Sequence, residues 1–354
     1  MQIKVPDYGL PNFLTVRDVI NGSFRPVATK YIGENKNVSE DAHSEYLEVQ
    51  DADLSCKHVV TLMNRNTSYY VHRPIDMHPC WWNLNKVSSD VDWYNSDDNR
   101  YVKFVDWNNE VHFFPAAISI VMPKEKGLSW VTYSGYSHDK KLEKAYLKAI
   151  YELIERDDFA AWWHKSLNIY LVDDWDSPLI SEMMAYIQEG KKRRCQLFQI
   201  PNEWGLYTIM CIIESSIFPQ ISIGLGTNSI KESAIIHAID ECVGSYKGLL
   251  FEAFHGRINY SELNSRAVAK HIIKTKVSTT FSNSISNLNL EELMKNTETF
   301  FAIINSQCGY TVKAFSTKLQ PETLVDTTPL TSRLLLRTNR PLIKGVIKRQ
   351  VGSI

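Results

Sequence analysis

Glu152, Glu155 and Arg156 stand at i, i+3 and i+4. On a helix that spacing puts two carboxylates and a guanidinium on one face, with Lys148 extending the row. Two chemistries fit. A solvated helix face could carry a Glu152–Arg156 ion pair worth a few tenths of a kcal/mol. A metal–phosphate site would instead use the carboxylate oxygens for Mg2+ and the arginine for phosphate. A second stretch bears on the choice. Gly135-x9-Ala145-x3-Ala149-Ile150-x-Glu152 recurs as Gly224-x9-Ala234-x3-Ala238-Ile239-x-Glu241, displaced by 89 residues (234 − 145 = 89). His237 lies one turn before Glu241. Two surface helices have no reason to agree on that spacing. The repeat therefore reads as two walls of one acidic pocket holding a cation, and a phosphate through it.

The elements that position these residues read as an apolar strand, a glycine turn, a polar loop and a helix, used twice. The strands are expected at Leu128–Tyr133 and Phe218–Ile223, the helices near Lys140–Trp163 and Lys231–Phe254, with Gly256 as a stop. A short helix is expected over Ser39–Val49. Tyr101–Trp107 and Glu110–Phe114 flank Asn108-Asn109 as a β-hairpin, ended by Pro115. A helix starts with Ser177 as N-cap and Pro178 in the first turn, and stops at Gly190. Strands follow at Cys195–Ile200 and Leu206–Ile213. Ser278–Asn289 reads as a surface loop, and Asn289 with Glu292 forms a capping box for one more helix. No stretch reads as a linker, so one composite α/β (α+β) domain over residues 1–354 is expected.

The bulk properties exclude several classes. At 354 residues the chain can bury a full core. A net charge of −1 gives no electrostatic reason for nucleic acid as a ligand. The N-terminus has no secretion signal and no apolar run approaches a bilayer span, so no membrane role is expected. Six cysteines without a CxxC pair read as reduced, mostly buried thiols in a cytoplasmic protein. His78-x-Cys80 followed by Trp81-Trp82 reads as core, as do Trp93, Trp107, Phe113 and Phe114. No Walker loop, nucleophile elbow or dinucleotide fingerprint is present, and no residue is read as a catalytic acid, base or nucleophile.

The run Tyr151-Glu152-Leu153-Ile154-Glu155-Arg156-Asp157-Asp158-Phe159-Ala160-Ala161-Trp162-Trp163 resembles the signature helix of YcaO-domain proteins: E-x-x-E-R-D followed by small and aromatic residues, after a Ser/Gly turn such as Tyr133-Ser134-Gly135. Gly224-Leu225-Gly226 through Ala234 to Glu241 resembles the family's later helix. The hairpin and a strand at Ala116–Met122 also fit. The resemblance covers about residues 30–255 and leaves 256–354 poorly matched.

This resemblance implies an ATP-dependent enzyme that binds Mg·ATP through glutamates from three helices. By position, Glu152, Glu155 and Glu241 are implied metal ligands, and Arg156 and His237 nucleotide contacts. Glu45 and Glu48 supply the third pair. The implied reaction is attack by a Cys, Ser or Thr side chain on the preceding backbone carbonyl. The oxyanion takes the γ-phosphate, phosphate leaves, and an azoline ring remains in a ribosomally made peptide, as in bacteriocin biosynthesis. Implied partners are the precursor peptide, a separate leader-peptide-binding protein and an FMN dehydrogenase, with the enzyme a homodimer. The chain departs from the family at Val49 and His237, where arginine is common, and at Gly244, where Gln or Glu is common. Lys140 and Lys141 occupy a loop usually built from small polar residues, and the C-terminus, Lys348–Ile354, lacks a proline-rich tail. These departures keep open a thioamide or amidine product, or a degenerate scaffold subunit of a synthetase complex.

Overall fold

The computed structural model describes residues 2–4, 10, 12–20, 23–32, 38–61, 70–72, 100–120, 133–165, 167–189, 192–216, 218–254, 277–278 and 288–320. The Leu128–Tyr133 strand (save Tyr133), Gly190, Gly256, most of the Ser278–Asn289 loop and the His78–Trp93 stretch lie outside them.

In chain order the elements are β1 (Gln2–Lys4), β2 (Phe13–Ile20), β3 (Ser23–Tyr31), α1 (Val38–Leu54), β4 (Val59–Thr61), β5 (Tyr70–Val71), β6 (Arg100–Val105), β7 (Val111–Pro115), α2 (Ala116–Ser119), β8 (Tyr136–Asp139) and α3 (Leu142–Lys165). They continue as β9 (Ile169–Val172), α4 (Pro178–Gln188), β10 (Arg193–Ile200), β11 (Tyr207–Ser215), β12 (Ile221–Asn228), α5 (Lys231–Phe254), β13 (Val277–Ser278), α6 (Leu290–Thr297), β14 (Thr299–Asn305) and β15 (Tyr310–Ser316). The fold is mixed α+β. Among the described residues no helix is long and apolar enough to cross a membrane.

Two compact units emerge, neither a continuous stretch of chain. The first is drawn from Met1–Tyr46, Ala161–Asn287 and Pro341–Ile354, the second from Leu47–Ala160 and Leu288–Arg340. Because the chain crosses the division inside α1 and α3 as well as between elements, no composition shift marks it.

The first unit holds a three-stranded sheet, β1-β2-β3, and a five-stranded sheet in the order β12-β11-β10-β9-β13. The β10–β12 strands are antiparallel neighbours, in register from Arg193↔Ser215 to Glu214↔Ile221. They read as near-continuous apolar runs because both faces are covered. Ile235, Ile239, Val243 and Tyr246 of α5 join Ile209, Cys211 and Ile213 of β11 and Ile180, Met183 and Ile187 of α4 in one core. Ser177 caps α4 with its carbonyl, which accepts from the Ser181 backbone, rather than with its side chain. Free thiols of Cys195, Cys211 and Cys242 are buried here, and burial beside the other two pushes the Cys211 thiol well up. Cys56 is half-buried and Cys308 exposed.

The second unit is built on a sheet ordered β5-β7-β6-β14-β15-β8, with β4 also pairing β6. Its core gathers Val102, Phe104, Phe114, Ile118, Tyr136, Phe300 and Phe315. The β6–β7 hairpin turns at Asn108-Asn109, with Asn109 in the left-handed region at φ 61°. The expected Ala116–Met122 strand is not formed over its described part. Pro115 ends the ladder and residues 116–119 make one helical turn, in which Ser119 Oγ donates to the Pro115 carbonyl. Asn289 and Glu292 close the expected capping box on α6.

The two repeat units differ in detail. Gly135 lies in a turn at φ +80° before β8. Gly224 and Gly226 lie inside β12 rather than in a turn. The reason is close approach: a Cβ on Gly224 would sit 2.1 Å from Cys242 N, and one on Gly226 2.3 Å from the Ala234 carbonyl oxygen. Here glycine lets α5 lie directly on the strand.

Candidate functional site: carboxylates anchored on two repeat helices

What remains of the repeat is the placement of its glutamates. Glu152 Oε2 accepts from the Gly135 backbone N–H at 3.1 Å. Glu241 Oε2 accepts from the Leu225 backbone N–H. In each unit the matched glutamate reaches back 16 or 17 residues to the strand or turn before its helix (152 − 135 = 17; 241 − 225 = 16). The backbone N–H orients the carboxylate.

In the second unit, Arg156 Nη2 lies 3.9 Å from Glu152 Oε1 and 3.7 Å from Glu155 Oε1. The solvated-face alternative does not hold. Glu155 is 4% exposed and Arg156 8%, and Asp157 and Asp158 are fully buried. Asp157 Oδ1 accepts from the Gln320 backbone at 2.8 Å, fixing the end of this helical segment to the residues after β15. Charges this deep are retained at a desolvation cost that a surface pair would not carry.

Sequence reasoning missed Lys313 of β15. Its ammonium is buried, donates to the Ser134 carbonyl and lies 4.6 Å from the centre of the Tyr136 ring. Burial pulls its pKa down to about 8, against the attraction of Glu152 and Glu48, which raises it. One lysine thus links the α1 and α3 carboxylates. A signal was available: a lysine between Val312 and Ala314 in a strand buried on both faces. Asp51, also unremarked, is buried on α1 and accepts from Asn305 Nδ2 at 2.8 Å and from the Thr311 hydroxyl. Thr311 Oγ1 in turn lies 2.8 Å from His138 Nδ1.

In the first unit, α5 presents Glu241 half-buried and His237 exposed one turn earlier. Neighbouring Asp240 is buried. Its Oδ1 accepts from the Tyr31 backbone at 3.1 Å and its Oδ2 lies 3.7 Å from Lys30 Nζ. Lys30 also reaches Glu45 Oε1 at 3.5 Å. Glu45 and Glu48 fall on opposite sides of the unit division along α1. Gly244 is set against β3: a Cβ there would lie 2.9 Å from Thr29 Oγ1, so a side chain at this position would require Thr29 to shift. Lys140 and Lys141 are exposed.

Taken unit by unit, these side chains are hard oxygen donors with a few fixed cations, the chemistry that suits Mg2+ and phosphate.

The comparisons agree with this chemistry. The family described as YcaO cyclodehydratase, ATP- and Mg2+-binding, matches residues 74–314, continuing past the limit of motif recognition near 255. A YcaO structure from Methanopyrus kandleri bound with AMPPCP and Mg2+ is 15% identical with a TM-score of 0.68, covering 94% of this chain and 88% of that one. A heterocyclase in complex with substrate and cofactor is 14% identical at TM-score 0.69, covering 91% of this chain but 50% of that one. The E. coli microcin synthetase McbBCD complex with pro-MccB17 bound contains a chain 12% identical at TM-score 0.63, covering 90% and 88%. No curated protein matches by sequence.

Proposed function

Because this chain belongs to the YcaO family, we propose that it activates backbone amides of a ribosomally made peptide at the expense of ATP, closing thiazoline or oxazoline rings. The family is one that binds ATP and Mg2+. The observation that carries the reading is the pair of matched glutamates, each oriented by a backbone N–H at the head of its repeat.

On this proposal Glu45, Glu48, Glu152, Glu155 and Glu241 are the Mg2+ ligands. Arg156 and His237 meet phosphate oxygens. ATP, when bound, supplies the phosphoryl group that turns an amide oxygen into a leaving group. The chain contributes positioning and charge neutralisation. Arg156 holds Glu152 and Glu155 apart from one another's charge. Lys313 offsets the charge of Glu48 and Glu152. Buried Asp157 anchors the helix segment that carries them. No side chain is assigned as acid or base, since the substrate's own Cys, Ser or Thr is the nucleophile.

The heterocyclase neighbour is in complex with substrate and cofactor, and the microcin synthetase neighbour has pro-MccB17 bound. By analogy the proposed partners are a precursor peptide and a separate protein that binds its leader, with an FMN dehydrogenase for oxidation of the rings. A homodimer and a cytoplasmic setting complete the proposal.

The test is calorimetric titration of ATP with and without Mg2+ into the wild-type chain, Glu152→Gln and Glu155→Gln. Mg-dependent binding lost in both variants, with the fold retained, supports the reading. Equal affinity in all three overturns it. Peptide mass then separates a thioamide, which exchanges oxygen for sulfur, from ring closure, which loses one water; an amidine forms by condensation with an amine and loss of water, and fragmentation of the product peptide tells it from an azoline. A scaffold role is favoured by one observation: Gly244 offers no ligand from α5 and lies close against Thr29. Absence of ATP binding with or without Mg2+ would select it.

A further inference from the structure

The β6–β7 hairpin carries a second convergence of ligand atoms, built from residues the proposed reaction does not use. Asp106 follows β6 and its Oδ1 accepts from the backbone N–H of Asn108 at 2.9 Å and of Glu110 at 2.8 Å. Those bonds fix the carboxyl group and leave Oδ2 turned to His112, 3.5 Å from its Nε2. Glu110, exposed at the hairpin, stands just before β7 and two residues before His112. One ligand atom from each of Asp106, Glu110 and His112 lies within 4.8 Å of the other two.

His112 is the independent pointer. It is 8% exposed, and its Nε2 is sealed from solvent and makes no hydrogen bond. Its ring is held in place by Tyr70, stacked at 4.8 Å, and Phe300 at 4.7 Å. Its other nitrogen, Nδ1, lies 3.0 Å from His72 Nε2. The arrangement is that of a metal-bound histidine, in which the second nitrogen donates to a neighbour and the first keeps its lone pair for the ion. Two tetrahedral ligands about 2.05 Å from zinc stand about 3.4 Å apart, which matches the Nε2–Oδ2 separation of 3.5 Å.

We propose that His112 Nε2, Asp106 Oδ2 and the Glu110 carboxylate bind a divalent cation of the zinc class, with water in the fourth position. His72 orients the ligand ring. Glu110, being exposed, swings in to complete the set. One imidazole among two carboxylates selects zinc over Mg2+, so the site is chemically separate from the all-carboxylate set on α1, α3 and α5. Its effect is to clasp the two ends of the hairpin turn.

The experiment titrates Zn2+ calorimetrically into the chelator-stripped full chain with Mg2+ in excess. The expected result is one zinc site per chain that Mg2+ does not displace, with a rise in unfolding temperature. Glu110→Gln, at an exposed position that leaves the core intact, lowers zinc affinity at least tenfold. His112→Gln abolishes it, and Glu152→Gln leaves it unchanged. Co2+ bound at the same site gives visible absorption bands that vanish in Glu110→Gln. Zinc binding of undiminished affinity in Glu110→Gln, loss of zinc in Glu152→Gln, or no zinc binding by the wild-type chain under excess Mg2+ overturns the proposal. None of these outcomes depends on whether ATP binds.

Discussion

Replacing Lys313 by Met tests the claim that a buried ammonium interacts with the carboxylates of Glu48 and Glu152. Its pKa falls from 10.5 to about 8 because burial disfavours the charged form. That difference corresponds to about 3 kcal/mol at ~1.36 kcal/mol per pKa unit. With the residue 4% exposed, solvent screening does not reduce it much. Below pH 8 both folded and unfolded chains hold the proton, and the wild type bears the full cost. Between pH 8 and 10.5 the unfolded chain binds the proton and the folded one does not, so stability rises with pH. Above 10.5 the gain is complete. Lys313→Met lacks this ramp. It also loses the bond to the Ser134 carbonyl, worth about 1–2 kcal/mol, and the contact over Tyr136. Urea unfolding of both proteins in chelator at pH 7, 8, 9 and 10 isolates the lysine, because other titrations cancel in the difference. The mutant's stability relative to wild type should decline by most of ~3 kcal/mol across that range. A difference constant to within ~0.5 kcal/mol would refute the burial argument.

Other consequences are as direct. Gly226→Ala places a methyl group against the backbone of Ala234 and Ala238. Its loss of stability, read by chemical denaturation, should reach about 3 kcal/mol. Asn289→Ala breaks the capping box on α6 and should cost about 1 kcal/mol in the same assay. Burial lowers the pKa of His138 below 6.5. The unfolded chain therefore binds its proton first, and stability is lost as pH falls from 6.5 through the folded value. His138→Gln should flatten that acid limb in thermal unfolding measured from pH 7 to 5.

Local signals were legible where the residues that cause the structure are neighbours in sequence. Helix α5 runs from Lys231 to Phe254 as its pattern implies, and α3 begins two residues later than expected. The Asn289–Glu292 box is a contact across three residues. Helix α1 overran its expected end at Val49, because Asp51 and Ala52 find their burial only against the strands of the second unit. The Ala116–Met122 segment, apolar but for Ser119, carried no period to distinguish a helical turn from a strand. At the site, Glu152, Glu155 and Arg156 were visible from their spacing alone. Lys313 stands 161 residues from Glu152 (313 − 152 = 161), and Asp240 meets Tyr31 across 209 residues. No local pattern encodes such a pairing. Asp106, Glu110 and His112 were hidden by the hairpin itself, since the turn gave each an ordinary structural reason to be there.

The sheet order of the second unit also sets a clock. Strand β8 ends at Asp139 and its partner β15 begins at Tyr310, 171 residues later (310 − 139 = 171). At about 5–20 residues per second, a ribosome takes roughly 10–30 s to deliver that partner. Until then β8 has an unpaired edge, and Phe104, Phe114 and Tyr136 wait for Phe300 and Phe315. The nascent chain must keep that edge and those rings shielded for the interval. Release of a chain truncated before β14 would yield an aggregating product rather than a partly active one.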